Sequence, residues 1–281
     1  MNCRARARFS ISERTPRMLE QEVIGLVPAA GWARRLGTLP FSKELHPVGS
    51  EISADGTAHP RPVCRFLLDA FRTAGIDRAC IVIRPGKRDI PGRLGDGSSF
   101  GMRLSYLVVE DPPTVLHTLD RARSFVREAV VAMGFPDIIF HPVDAFTRLL
   151  VRRNARNADV VLGVFPVGFP RKAGVVELGA DGRILRVEEG WSSSGASWTW
   201  TIAVWSPAVT SLLGDIVARI GPGPHPPPEP SATDIVRAAI DAGLRVEGEI
   251  FRDGDWIDIG TPEGLAGALR RFGGDGTDIS K

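Results

Sequence analysis

The sequence is poor in cysteine, in long apolar runs and in net charge, and each shortage argues against a class of protein. Its 281 residues include three cysteines (Cys3, Cys64 and Cys80) without a C-x-x-C pair, which argues against a zinc site or a secreted disulfide scaffold. No apolar run reaches about 18 residues, so we expect no transmembrane helix and no membrane partner. The 35 basic and 33 acidic side chains leave a formal net charge of +2, which argues against a nucleic-acid partner.

What remains is the composition of a globular protein, with 43% hydrophobic and 24% charged residues. Because α/β folds often reach about 250 residues as one unit, we expect a single domain over residues 22–272. Residues 1–21 are arginine-rich and show no helical or strand period, which predicts a disordered basic tail. An organelle address, or an early start codon with Met18 as the true start, are the alternatives for this segment. Residues 273–281 are expected to form a flexible tail.

Apolar runs alternate with segments of helical spacing along most of the chain. Strands are predicted at residues 23–30, 78–83, 104–109, 129–133, 159–167, 197–205, 245–251 and 256–259. Helices are predicted at residues 61–75, 116–127, 143–154, 233–243 and 262–272. A hairpin with an Asp-Gly turn is predicted from the short strands at 175–178 and 184–188. This order predicts βαβ units and a mostly parallel sheet, which is the α/β class.

A loop that follows the first strand carries Gly31, Arg35 and, eight residues further on, Lys43. Glycine lets a backbone approach a phosphate closely, and two fixed cations can neutralise a polyphosphate. A solvated basic loop is the alternative on spacing alone. The dinucleotide-binding G-x-G-x-x-G and the P-loop G-x-x-x-x-G-K-[ST] are both absent from the sequence.

Acidic residues lie at the ends of three other predicted strands. Asp137 comes after the fourth strand and Asp258 lies between two isoleucines, and carboxylates in such places can hold Mg²⁺. An N-cap role is the alternative for Asp137. Glu188 and Glu189 of the hairpin could bind sugar hydroxyls or be merely solvated. Two metal-capable aspartates and a Gly/Arg/Lys loop together favour phosphoryl or nucleotidyl transfer.

The run GLVPAAGWARRLGTLPFSKELHPVG at residues 25–49 resembles the amino-terminal signature of the sugar-1-phosphate nucleotidylyltransferases. The closest branch comprises the glucose-1-phosphate thymidylyl- and uridylyltransferases. The run DWIDIGTPEGLAGAL at residues 255–269 is similar to the closing motif of the same family. The resemblance extends over about residues 23–270, and the signature is matched by Gly31, Arg35, Leu36, Lys43, Leu45, Pro47 and Val48.

This resemblance implies a Rossmann-like (GT-A type) three-layer α/β/α sandwich. Its central sheet would be mixed but mostly parallel, with a small β-hairpin subregion for the sugar. It also implies a cytoplasmic, Mg²⁺-dependent enzyme that joins a sugar 1-phosphate to a nucleoside triphosphate (NTP) and releases pyrophosphate. A hexose phosphate such as glucose 1-phosphate and dTTP or UTP are the expected substrates. Assembly into a homo-oligomer is left open.

The resemblance also assigns roles to individual residues. It implies catalytic roles for Arg35 and Lys43, sugar binding by Gly174 and Glu189, and metal binding by a pair of aspartates, Asp137 and Asp258. The nucleotide-binding residues that it implies are Ala29, Ala30, Gly31, Arg34 and Arg35.

Three positions depart from the family pattern. Ala33 replaces a loop glycine, Arg34 replaces a threonine, and Gly190 stands where the family has a lysine that grips the sugar phosphate. Two alternatives follow from these changes. One is a catalytically degenerate protein of the same fold that only binds nucleotides or nucleotide sugars, and the other is nucleotidyl transfer to a different phosphorylated acceptor.

Overall fold

The computed structural model describes residues 21–52, 56–167, 174–189, 197–223, 225 and 229–273. The strands are β1 (Val23–Pro28), β2 (Pro47–Ile52), β3 (Ala58–Pro62), β4 (Arg78–Ile83), β5 (Arg103–Val108), β6 (Val130–Gly134), β7 (Ile138–His141), β8 (Val160–Pro166), β9 (Gly174–Leu178), β10 (Ile184–Glu189), β11 (Trp198–Trp205), β12 (Val246–Ile250) and β13 (Asp255–Asp258). The helices are α1 (Cys64–Thr73), α2 (Asp89–Leu94), α3 (Val115–Asp120), α4 (Arg123–Val126), α5 (Ala145–Arg156), α6 (Pro207–Ile220), α7 (Ala232–Asp241) and α8 (Pro262–Phe272).

The central sheet has the strand order β12-β8-β11-β6-β1-β4-β5. Only β11 runs against its neighbours β6 and β8 in this order, and the other pairs are parallel. Continuous apolar runs such as that of β6, which is buried at every position, suit strands that are covered on both faces. The expected mixed, mostly parallel sheet is therefore confirmed.

Helices cover both faces of the sheet. On one face, α3, α6 and α7 pack around Leu116, Leu213 and Ile235. On the other face, α1, α2 and α5 pack around Phe71 and Phe146, whose ring centroids lie 4.8 Å apart. The three-layer α/β/α sandwich is thus also confirmed. None of the helices in the described ranges is long and apolar enough to cross a membrane.

Three small additions complete the architecture, namely the β9–β10 hairpin and the separate two-stranded pairs β13–β7 and β2–β3. The β9–β10 hairpin joins the main sheet through the pairing of Val175 with Thr199 of β11. Strands β13 and β7 form a separate antiparallel pair in which Asp258 lies opposite Ile138. Helix α8 packs against β13 and β2, so the last helix supports this second sheet.

The structure corrects several sequence-based assignments, and α2, β2, β3 and β7 were not predicted. The helix predicted at 61–75 begins only at Cys64, because Arg61 and Pro62 belong to β3, which pairs with β2. The helix predicted at 116–127 is divided into α3 and α4. Helix α6 was not predicted, although Ser206 followed by Pro207 is a common helix start. The expected terminal tails at 1–21 and 273–281 lie almost entirely outside the described residues.

Candidate active site

A cavity of about 1220 Å³ opens where β1 and β6 end and where the β9–β10 hairpin meets α7. Open parallel sheets bind their ligands at this end of the strands. Ala29 does not line the cavity, since it is buried in the core and its N–H donates to the Val82 carbonyl at 2.8 Å. The other predicted site residues all line it: Ala30, Gly31, Arg34, Arg35, Lys43, Asp137, Gly174, Glu189 and Asp258.

Two ion pairs connect the predicted phosphate-binding cations with the predicted metal-binding carboxylates. Lys43 Nζ lies 2.5 Å from Asp137 Oδ2, and Arg35 Nη2 lies 3.2 Å from Asp258 Oδ2. A Cβ placed on Gly260 would lie 2.8 Å from Asp258 Oδ1, 3.0 Å from Asp137 Oδ2 and 3.0 Å from Arg35 Nη2. Both carboxylates and the guanidinium therefore converge on one point beside Gly260.

The local fold explains how two distant aspartates meet. Asp137 lies in the tight turn between β6 and β7, and the antiparallel partner of β7 is β13, which ends at Asp258. The Ile259 N–H donates to the Asp137 carbonyl at 3.0 Å, and the Gly260 N–H donates to Asp258 Oδ1 at 2.7 Å. The backbone thus fixes the two carboxylates relative to each other.

Burial and mutual charge set the protonation of these groups. Burial alone would lower the pKa of Lys43, but the carboxylates of Asp137 and Glu44 outweigh it and raise that pKa above its ordinary value. Burial opposes ionisation of Asp137, yet the Lys43 ammonium holds the pKa of this carboxyl below its usual range. Burial and the negative charge of Asp137 raise the pKa of Asp258. The two carboxylates repel each other in a partly desolvated site, which favours a cation between them.

A short 3₁₀ turn, Lys43–Leu45, carries the lysine and is anchored on both sides. Before it, the N–H and Oγ of Ser42 donate to the Asp89 carboxylate at 2.6 and 2.7 Å. Within it, Glu44 Oε1 accepts a hydrogen bond from Lys87 Nζ at 2.6 Å, and the two side chains are only 1% and 3% exposed. Sequence reasoning did not find this buried pair, because its partners come from different loops.

The predicted triphosphate loop is open on its outer side. A Cβ on Gly31 would meet nothing within 4 Å, so the space beside this backbone is free. Ala33 adopts a left-handed backbone with φ of 55°, the conformation that glycine adopts most easily. Ala33, which stands where the family has a glycine, therefore keeps the left-handed backbone that glycine favours.

The opposite wall of the cavity contains the predicted sugar-binding pair. Gly174 and Glu189 lie directly opposite each other in the β9–β10 register. Glu189 Oε2 accepts hydrogen bonds from Ser231 Oγ at 3.0 Å and Thr233 Oγ1 at 2.6 Å. A Cβ on Gly174 would lie 2.4 Å from Trp200 Nε1, so only glycine fits there.

Other residues of the cavity were missed from the sequence. Trp200 and Thr201 are 6% and 2% exposed, and their side-chain polar atoms have no hydrogen-bond partner among the described residues. They lie in β11, which is buried at nearly every position, and the pattern of its sequence predicted a strand but did not mark either residue as part of a site. Ser231 could have been found, because the sequence S-x-x-D at 231–234 is typical of a helix capping box. Glu188 instead pairs with Arg186 outside the cavity lining, and Gly190 lies outside the described residues.

The chain has relatives of known function. A glucose-1-phosphate thymidylyltransferase of Streptomyces griseus is 30% identical over 243 residues, which cover 84% of this chain and 62% of that protein. The thymidylyltransferase of Xanthomonas campestris pv. campestris strain B100 is 27% identical over 245 residues, covering 86% of this chain and 77% of that protein. The chain thus spans less than two thirds of the length of the Streptomyces relative.

Solved structures share the fold. A candidate glucose-1-phosphate thymidylyltransferase of Bacillus anthracis, in complex with sucrose, matches with a TM-score of 0.76 and 20% identity over 92% of this chain and 98% of that one. The UTP-bound UGPase of Acinetobacter baumannii matches with a TM-score of 0.69 and 17% identity over 90% of this chain and 94% of that one. Residues 55–272 match the family model for nucleotidyl transferases. The chain therefore belongs to the nucleotidyl transferase family.

Proposed function

We propose that this protein is a Mg²⁺-dependent nucleotidylyltransferase that joins a hexose 1-phosphate, such as glucose 1-phosphate, to dTTP or UTP. The products are the nucleoside-diphosphate sugar and pyrophosphate. The main support for the proposal is a pair of ion pairs at one wall of the cavity, Lys43 with Asp137 and Arg35 with Asp258. Two cations and two carboxylates in this arrangement suit a metal–triphosphate complex, because each group would find an opposite charge on it.

The two aspartates fit the demands of Mg²⁺. This ion usually takes one or two carboxylates and completes its coordination with phosphate oxygens and water. In the described part of the chain, no cluster of three or more His, Cys, Asp or Glu side chains forms a complete metal cage. Asp137 and Asp258 would hold the ion, and when bound it supplies charge neutralisation at the reacting phosphoryl oxygens.

The side chains of the loop would then act on the triphosphate. Lys43 stays protonated at neutral pH because its pKa is raised, and its ammonium can leave Asp137 to bind and orient the reacting phosphates. Arg35 can leave Asp258 and stabilise the charge that develops on the departing pyrophosphate. An oxygen of the sugar phosphate attacks the α-phosphorus of the NTP. The bond between the α-phosphorus and the oxygen that bridges it to the β-phosphate breaks, and pyrophosphate leaves. No general base is required, since a phosphate monoester is already anionic.

The sugar would lie at the wall formed by the hairpin and α7. Glu189 can accept a hydrogen bond from a sugar hydroxyl, and the hydroxyls of Ser231 and Thr233 fix the orientation of its carboxylate. A side chain at Gly174 would collide with Trp200, so this position contributes only its backbone to the wall.

The test is pyrophosphate release from a panel of NTPs and sugar phosphates, with Asp137→Asn and Asp258→Asn as the variants. Loss of several kcal/mol of charge stabilisation predicts at least a roughly 10³-fold fall in kcat for either variant. Asp77→Asn is the matched control, because its carboxylate is 58% exposed and lies away from the cavity. Circular dichroism shows whether each variant is folded.

The same panel separates the alternatives. Tight NTP binding without pyrophosphate release from any acceptor supports the degenerate binding protein. Release with phosphocholine or an alditol phosphate, but with no sugar phosphate, supports the other acceptor class. A folded variant of either aspartate with native kcat at saturating Mg²⁺ would contradict the metal assignment.

A further inference from the structure

Trp32 is an exposed aromatic side chain in the middle of the predicted triphosphate loop. Trp32 is 50% exposed, although large aromatic side chains are usually buried. Its ring is nevertheless held in place. The indole N–H donates to Asp111 Oδ1 at 3.1 Å, and the Arg84 guanidinium carbon lies 3.8 Å from the ring centroid.

These contacts place the Arg84 guanidinium on one face of the ring. Trp32, Asp111 and Pro112 line the cavity, whereas Arg84 is not among the described residues that do. The guanidinium therefore covers the face turned away from the cavity, and the opposite face is available to a ligand. A fixed aromatic ring with one free face is a platform for another flat ring.

The backbone around Trp32 is also unusual. Ala33 and Asp111 have φ values of 55° and 30° and are two of the three non-glycine residues with positive φ in the described ranges. Ala33 directly follows Trp32 in the chain, and Asp111 accepts the hydrogen bond from the Trp32 indole. Uncommon backbone conformations of this kind tend to be kept at ligand sites.

We propose that Trp32 is the platform on which the base of the bound NTP stacks. The inference rests on the proposed function, because it assumes that the Gly31–Arg35 loop binds the triphosphate. Since every nucleobase has a π-face, stacking on Trp32 contributes affinity for all NTPs and does not select among them. The hydrogen-bonding choice of base belongs to other groups of the cavity.

The decisive comparison is between a nucleotide and an anion without a base. Calorimetric titration of the full chain in the presence of Mg²⁺ gives the Kd of dTTP, UTP and GTP, and these values are compared with the Kd of inorganic tripolyphosphate. Trp32→Ala is expected to raise the Kd of all three nucleotides by about 5- to 150-fold and to leave that of tripolyphosphate within about twofold. Trp32→Phe keeps a stacking ring and should recover most of the affinity.

Phe41→Ala is the matched control. Phe41 lies in the same amino-terminal loop region and is 38% exposed, but it is not among the described residues that line the cavity. Its removal should change no Kd. A second readout is tryptophan fluorescence, which dTTP should quench in the native chain and quench much less in Trp32→Phe.

The outcomes are distinguishable. If Trp32→Ala binds the nucleotides as tightly as the native chain, the inference is wrong and the proposed function stands. If it weakens nucleotides and tripolyphosphate by the same factor, the ring supports the loop and does not stack on the base, which also overturns the inference. If the native chain binds none of the nucleotides, the proposed function itself fails.

Discussion

At the scale of single residues, Gly260 controls the candidate site through the space that it leaves empty. Its missing side chain allows Asp137, Asp258 and Arg35 to approach the same point. Its N–H also orients the Asp258 carboxylate through a hydrogen bond of 2.7 Å. A residue without any side chain is therefore a positioning residue for two predicted metal ligands.

Gly260→Ala tests this role. The added Cβ would lie 2.8 Å from Asp258 Oδ1, closer than such contacts normally are, so a carboxylate or the guanidinium must shift. Changes to groups that orient metal ligands typically cost about 10- to 100-fold in metal affinity or activity. We expect a loss of that size in kcat/KM for pyrophosphate release, together with a higher Mg²⁺ requirement.

Gly267→Ala is the control for Gly260→Ala. Gly267 lies in α8, where a new Cβ would meet nothing within 4 Å. Replacing it should leave activity unchanged and should stabilise the helix by about 0.5–1 kcal/mol. Native kcat/KM and native Mg²⁺ dependence in Gly260→Ala would show that the two carboxylates do not depend on this space.

At the scale of elements, the turn that presents Lys43 depends on a buried ion pair at the wall of the cavity. Glu44 and Lys87 are both almost fully buried, and they join the Lys43–Leu45 turn to the chain that follows β4. Burial raises the pKa of Glu44, and Lys87 partly offsets that effect. Removing the lysine would therefore leave a carboxyl that is costly to ionise.

Lys87→Met tests this pair through the pH dependence of stability. Without the ammonium, the folded-state pKa of Glu44 rises further above its unfolded value, so folding disfavours the charged form. The stability loss should be small near or below the unfolded pKa and should grow as the pH rises through the folded pKa. Urea unfolding at pH 5 and pH 8 should show the larger loss at pH 8, about 3–5 kcal/mol.

The double variant Glu44→Leu/Lys87→Met is the comparison for Lys87→Met. It removes both charges, and such replacements of buried ion pairs are often neutral or stabilising. Equal losses for the single variant at both pH values would mean that packing, and not the unpaired carboxyl, causes the effect.

The elements differ in how well the sequence predicted them. Strands β1, β4, β6 and β8 were found because a strand that is buried on both faces is apolar throughout. Helix α8 was predicted to begin at Pro262, because threonine is a common N-cap and proline suits the first helical position. The structure confirms this start, since Thr261 Oγ1 accepts a hydrogen bond from the Gly264 N–H. The start of α1 was predicted wrongly, because helical spacing from residue 63 hid the pairing of β3 with β2. That pairing depends on long-range contacts that no local pattern contains.

In the candidate site, too, local patterns predicted some features, whereas features that depend on long-range contacts were missed. Asp137, Asp258 and Lys43 were predicted from their places after strands and in a glycine-rich loop. The pairing of each cation with a particular carboxylate could not be predicted, because it depends on the register of β13 against β7. The anchoring pair of Glu44 and Lys87 was missed because its partners lie in different loops, and no local pattern brings them together.

At the scale of the whole molecule, the first two described residues, which precede β1, are already attached to the domain. The Glu22 carbonyl accepts from the Val130 N–H at 2.8 Å, and the Glu22 carboxylate pairs with Arg78 at 2.5 Å. Gln21 accepts from Arg153 at 3.2 Å. These contacts tie residues 21 and 22 to three different parts of the domain.

Removal of residues 1–17 should therefore change neither Tm nor the rate of pyrophosphate release. The removed sequence has no apolar period that would place it in a core, and residues 21–22 keep their contacts. Differential scanning calorimetry and the activity panel measure both quantities on the shortened chain. A clear fall in Tm would instead place this segment in a core or in a subunit interface.

The pairing of β13 with β7 has a consequence for biosynthesis. Asp137 leaves the ribosome long before Asp258, and at ordinary elongation rates the interval is on the order of ten seconds. During that time a nascent chain can form the first half of the sheet and the Lys43–Asp137 pair, but the second carboxylate does not yet exist. Under the proposed function, translation therefore delays catalytic competence until the ribosome has passed Asp258, and a chain that ends before this residue is expected not to turn over its substrates.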